Sequence, residues 1–187
     1  MGIKSSTKVR YYEGSKNMIF VAVGTQFSFN RLIQYMDDWV ISDENKKQET
    51  VIAQISDGSY LPSNIDYERF MNSEQYNQNI RDASVFVSHA GMGNIISARE
   101  QKTPIIVINR QLALGEHRND HQADGLRWMT KLDGVYTAST QEELYQHLDH
   151  INELKPSNNS QVGNQQLSSY IADFIGLAGS KETLIKL

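Results

Sequence analysis

The chain has 187 residues, enough for one sizeable core and short for two, and its 39% hydrophobic and 21% charged residues are an ordinary globular balance. Its formal net charge of -4 argues against a dominant nucleic-acid surface. The absence of cysteine excludes disulfides and thiolate zinc sites; no apolar run approaches the roughly 18 residues that span a bilayer and no secretory hydrophobic region is evident, so the expected location is cytoplasmic.

Residues 1–17, MGIKSSTKVRYYEGSKN, set Lys4, Lys8, Arg10 and Lys16 against Glu13 alone and read as a flexible extension. A basic arm touching a membrane is the alternative. MIFVAVG (18–24) is a short apolar run ending in glycine, the pattern of a buried parallel strand. FNRLIQYMDDWV (29–40) spaces Phe29, Leu32, Ile33, Met36 and Val40 as one helical face. ETVIAQIS (49–56) is a second strand, and residues 58–64 are rich in turn formers. SEQYNQNIRDA (73–83) predicts a helix with Ser73 as N-cap.

SVFVSHAG (84–91) is a strand, GNIISAREQ (93–101) a helix, and TPIIVINR (103–110) a strand led by Pro104, where a missing N–H is tolerated. DHQADGLRWMTKL (120–132) predicts a helix and GVYTA (134–138) a short strand; TQEELYQHL (140–148) predicts a helix capped by Thr140, with Glu143 at the capping-box position. PSNNSQVGNQQ (156–166) reads as a linker. It leads to an amphipathic stripe of Leu167, Tyr170, Ile171, Phe174 and Ile175, a helix for docking a partner or for folding back on the domain. The expected organisation is an extension (1–17), one domain (18–155), then linker and C-terminal helix (156–187).

Strands alternating with helices predict an α/β fold: a Rossmann-like parallel sheet flanked by helices. Ligands bind beyond the carboxyl ends of such strands, where three loops should meet: 24–28, 89–94 and 110–122. In the first, Gly24 and Thr25 offer a backbone N–H and a hydroxyl to an anion; an ordinary tight turn fits as well. In the second, Gly91 and Gly93 flank a strand-to-helix turn whose N–H groups and helix dipole suit a phosphate or diphosphate. The spacing is neither G-x-G-x-x-G nor a Walker loop. In the third, GEHRNDHQ (115–122) gathers Glu116, His117, Arg118, Asp120 and His121. Three readings stay open: a metal site on His117 and His121 with Asp120 or Glu116, a solvated loop, and a polar site reading a sugar and its phosphates. In the last, Arg110 and Arg118 supply charge while Glu116 and His121 meet hydroxyls.

The order MIFVAVGTQF, SHAGMGNII, the Pro-led strand, then GEHRNDHQ resembles the nucleotide-binding half of the GT-B glycosyltransferases, in particular the family-28 carboxyl-terminal domain. Within it, the chain is similar to stand-alone subunits: the catalytic half of the two-part N-acetylglucosaminyltransferase acting on dolichol-linked sugar, and bacterial exopolysaccharide counterparts. The resemblance implies a single GT-B half-domain in which Gly91, Met92, Gly93 and Asn94 hold the diphosphate of a nucleotide sugar. It implies that His89 contacts phosphate and that His121 and Gln122 touch the donor sugar. Many relatives carry a glutamate on the ribose where this chain has Ser97.

It further implies a UDP-sugar donor, no cofactor and no metal, the diphosphate charge being met by the helix N-terminus and arginines. The acceptor would be a lipid-linked saccharide, held by a membrane-associated partner subunit that brings this chain to the cytoplasmic membrane face. The catalytic base is unassigned among His89, Glu116 and His117, or comes from the partner. A non-catalytic activator of a membrane glycosyltransferase is the alternative, and a sugar-nucleotide epimerase would need a second domain in the same chain.

Overall fold

A computed structural model describes residues 17–25, 27–116 and 128–158. The extension before Asn17, most of the 115–122 cluster and the C-terminal stripe lie outside the described residues.

Six strands form one parallel sheet: β1 (Met18–Ala22), β2 (Thr50–Gln54), β3 (Asp66–Glu68), β4 (Val85–His89), β5 (Ile105–Ile108) and β6 (Val135–Ala138). Their spatial order is β3-β2-β1-β4-β5-β6. The four described helices are α1 (Asn30–Ile41), α2 (Ser73–Asp82), α3 (Met92–Gln101) and α4 (Gln141–Asp149). Because both sheet faces are covered, the central strands are continuous apolar runs rather than alternating ones. The period-2 pleat then sorts the side chains. Ile19, Val21, Val51, Val85, Val87, Ile106 and Ile108 face α1 and α4. Phe20, Ile52, Phe86, Ile105 and Val107 face the opposite way, with Ile80 of α2 and Ile95 of α3.

The predicted stripe of α1 is the buried one, with Phe29, Leu32, Ile33, Met36 and Val40 all at most 6% exposed. Phe29 itself is the N-cap rather than a helical residue. On the other face, Phe20 and Phe86 stack with ring centroids 5.3 Å apart, and Tyr76 of α2 meets both edge-on.

Three local expectations change. Helix α2 is capped by Asn72, not Ser73: the Asn72 side chain accepts from the Gln75 N–H, and Gln75 accepts from the Asn72 N–H. An amide at N-cap with glutamine three positions on satisfies two orphan donors at once, which Ser73 inside the first turn does not do. At α4, Thr140 accepts from the Glu143 N–H as expected, but the Glu143 carboxylate reaches back to the Ser139 N–H instead. Strand β3 has no counterpart in the predicted elements; it is three half-buried residues paired on one side only.

The stretch read as a linker also begins inside the fold. Ser157 is buried, the Asn158 N–H donates to Asp133, and Gly134 has φ +78 with the Pro156–Ser157 backbone directly over its Cα. A side chain at 134 would collide with it, so this close approach depends on glycine.

Candidate active site

The order 3-2-1-4-5-6 reverses direction between β1 and β4, and the crevice at such a switch point is where doubly wound sheets hold ligands. The loops leaving β1, β4 and β5 all open on this edge.

At its centre stands His89, the last residue of β4. A Cβ added to Gly24 would lie 2.8 Å from the His89 Cε1, and one added to Gly91 would lie 2.6 Å from its Nε2. Both glycines are therefore packed against one edge of the imidazole, and Gly24 has φ +79 as well. The ring braces the β1 loop against the β4 loop. Behind it runs a chain of hydrogen bonds: Tyr76 Oη donates to Asn94 Oδ1 at 3.0 Å, Asn94 Nδ2 donates to Ser88 Oγ, and Ser88 Oγ donates to the Ala22 carbonyl at 2.9 Å. Burial pushes the Tyr76 phenol far above its ordinary value, so it stays a donor. Asn94 Nδ2 also faces His89 Nδ1 at 3.4 Å. An amide N–H there favours the tautomer with the proton on Nε2, beside the Gly91 turn.

Helix α3 starts at this point. Its N-cap, Gly91, has no side chain to cap with, and its first turn holds no acid. The Asn94 and Ile95 N–H groups turn back to the Gly91 carbonyl. The first-turn dipole is thus left uncapped by any side chain, as it is at α1 and unlike α2 and α4. Among the described residues, a Cβ on Gly93 would meet nothing within 4 Å beyond its own helix backbone, which leaves room in front of the turn. Met92 and Asn94 are half-buried, Gly93 is exposed, and Ser97 is half-buried one turn further on.

The third loop differs from expectation in what its charges do. Arg110 is 6% exposed, and its Nη2 donates to the carbonyls of Val23 and Phe27. Its guanidinium also lies over the Phe27 and Phe29 rings. Burial lowers its pKa, opposed by the charge of Glu116. Arg110 therefore braces the β1 loop from beneath. Glu116 has both oxygens engaged: Arg31 of α1 donates to Oε1 and Oε2, each at 2.8 Å, and the Gln111 N–H donates to Oε2 at 2.8 Å. Arg31 Nη2 also holds the Asn109 carbonyl at 2.8 Å. Burial works against the Arg31 charge, but Glu116 and Tyr35 more than offset it, so its pKa ends above the ordinary value. Two arginines around one carboxylate leave a net positive charge behind the site.

Thus Gly24, Thr25, His89, Gly91–Asn94, Arg110 and Glu116 gather at one edge, with Thr25 exposed. His117, Arg118, His121 and Gln122 lie outside the described residues. Among the described residues, no group of three His, Asp or Glu is arranged to hold a metal ion, and no helix is long and apolar enough to cross a membrane. Arg31, Ser88 and Tyr76 were missed by sequence reasoning. Arg31 sits at the polar side of an amphipathic helix, where a cation carries no signal of its own, and its partner is 85 positions away.

The family model of the Glycosyltransferase family 28 C-terminal domain matches residues 18–174. No curated protein matches the sequence. Among solved structures, the glycotransferase of kitacinnamycin is 16% identical with a TM-score of 0.53, over 90% of this chain and 42% of that one. The solution structure of ALG13 is 18% identical with a TM-score of 0.52, over 79% of this chain and 92% of that one. MurG of Acinetobacter baumannii is 13% identical with a TM-score of 0.52, over 76% of this chain and 44% of that one. At these identities the likeness is one of fold. The chain spans less than half the length of the kitacinnamycin and MurG structures.

Proposed function

Since the chain belongs to glycosyltransferase family 28, whose C-terminal domain matches most of its length, we propose that it is the donor-binding subunit of a two-component glycosyltransferase. In this reading it moves a sugar from a UDP-sugar to a lipid-linked saccharide at the cytoplasmic face of a membrane, in exopolysaccharide or glycolipid synthesis. The acceptor is held by a membrane-associated partner subunit, and activity requires that partner.

The observation that carries the reading is the amino end of α3. It has a glycine N-cap without a side-chain cap, open space over Gly93 and the Nε2 edge of His89 alongside. Oriented N–H groups and a helix dipole stabilise the charge that develops on a departing nucleoside diphosphate. The net positive charge of Arg31, Arg110 and Glu116 acts in the same direction from behind. In this role His89 donates to a phosphate oxygen and is not the base. Glu116 already accepts three hydrogen bonds from Arg31 and Gln111, so in this reading it orders the loop and the base is assigned elsewhere. The acceptor hydroxyl is then deprotonated by His117 or by the partner. The likeness of fold to ALG13 extends over 92% of that chain, so the same fold also occurs as a small chain of its own.

Calorimetric titration with UDP, GDP and CDP, in EDTA and again with zinc, tests the donor. Saturable UDP binding in EDTA is expected. Binding that requires zinc would transfer the site to the histidines of the third loop, and no nucleotide binding at all would favour a non-catalytic activator.

A further inference from the structure

Behind the His89 ring the hydrogen bonds run in one direction, and a backbone carbonyl sets it. The Ala22 carbonyl can only accept, so Ser88 Oγ, 2.9 Å away, spends its single proton there. Ser88 Oγ is then left as an acceptor, and the Asn94 atom beside it has to be the amide nitrogen. That turns Asn94 Oδ1 toward α2, where Tyr76 Oη donates to it at 3.0 Å. The amide nitrogen carries a second N–H, and His89 Nδ1 stands 3.4 Å from it. A reversed amide would set two acceptors, Asn94 Oδ1 and Ser88 Oγ, against each other with no proton between them.

Both ends of this chain are fixed by packing. Ser88 is fully buried in β4, in register with Ala22 of β1. The Tyr76 ring meets Phe20 edge-on at 5.3 Å and Phe86 at 6.2 Å, and burial keeps its phenol protonated. Ser88 Oγ itself lies 3.5 Å from His89 Nδ1. If its proton turned that way, Nδ1 would again be the acceptor. A ring nitrogen that accepts leaves the proton of a neutral imidazole on the other nitrogen. Here that is Nε2, the atom 2.6 Å from where a Gly91 Cβ would lie.

We propose that Asn94, oriented by Ser88, is a positioning residue that holds His89 as the neutral ring protonated on Nε2, so that the edge against the Gly91 turn is a donor without being charged. What this donor is for rests on the donor reading above; the tautomer itself does not.

The test reads the imidazole nitrogens by long-range proton–nitrogen NMR of the full chain at alkaline pH, with His89→Gln identifying the signals. Wild type is compared with Ser88→Ala, which removes the hydroxyl that sets the direction. It is also compared with Asn94→Asp, which puts an acceptor opposite Nδ1 and leaves the buried sheet untouched. The expected result is Nε2–H in wild type, a mixture of both tautomers in Ser88→Ala, and Nδ1–H in Asn94→Asp. A wild-type ring protonated on Nδ1 overturns the proposal. So does a ring that keeps the wild-type tautomer in either variant, even if its melting temperature falls, because lowered stability alone is what a merely structural pair would show. Should Ser88→Ala fail to fold, Asn94→Asp decides. UDP titration of wild type separates the two readings: without UDP binding the donor reading falls, and the NMR result still decides the tautomer.

Discussion

Gly91 is the residue at which the sequence pattern and the fold meet most directly, at the N-cap of α3. Its turn was legible because a glycine pair after an apolar run marks close backbone approach, but the thing approached was not. The His89 ring lies against Gly24 on one loop and Gly91 on another, a contact that only the sheet brings about. Gly91→Ala puts a methyl 2.6 Å from His89 Nε2, so the ring must shift away from the turn, toward Asn94 Nδ2, which stands 3.4 Å from Nδ1. We expect a loss of about 1–3 kcal/mol in urea unfolding, typical of overpacking, together with loss of UDP binding. Unchanged stability and affinity would show that the ring moves freely. The arginines teach the opposite lesson. The sequence suggests charge from Arg110 and a hydroxyl contact from Glu116; in the fold Arg110 also holds carbonyls under the β1 loop and Glu116 is gripped by Arg31. Charge in a loop is visible in sequence; its partner, far along the chain, is not.

Elements were legible where periodicity is strong and faded where pairing decides. The β1, β2, β4 and β5 runs and the α1 stripe follow from apolar spacing, whereas β3, half-buried and bonded on one side, has no such pattern. The crossing from β2 to β3 is held instead by α1. Asp37, 2% exposed, accepts from Tyr60 Oη at 2.8 Å and from the Ser63 and Asn64 N–H groups. Burial, with the Asp37 hydrogen bond and charge, pushes the Tyr60 phenol from 10.0 up to about 12. A raised folded-state pKa stabilises fully below the unfolded value and is lost as pH rises through the folded one. The stability deficit of Tyr60→Phe should accordingly be constant below pH 10 and shrink between pH 10 and about 12. Urea melts of both proteins across that range check this, and a gap that widens with pH would contradict the bond to Asp37.

For the whole molecule, strand–helix alternation predicted a parallel sheet, and the order β3-β2-β1-β4-β5-β6 locates its switch point at β1 and β4. The edge was therefore predictable from the fold class, whereas the bracing of its loops by His89, Arg31 and Arg110 was not, because each joins segments remote in sequence. In the proposed function that bracing preorganises an anion site at the amino end of α3, and a partner supplies the other half of the reaction. The central claim is that a diphosphate sits at the amino end of α3, and the most direct test is UDP titration of Gly93→Ala beside wild type, with thermal melts of both. Among the described residues, a Cβ at 93 meets no atom within 4 Å beyond its own helix backbone and chain neighbours, so the fold should be as stable as wild type, or more stable by up to about 1 kcal/mol through helix propensity. The account predicts that this stable variant binds UDP at least tenfold more weakly; UDP affinity equal to wild type would place the phosphates elsewhere.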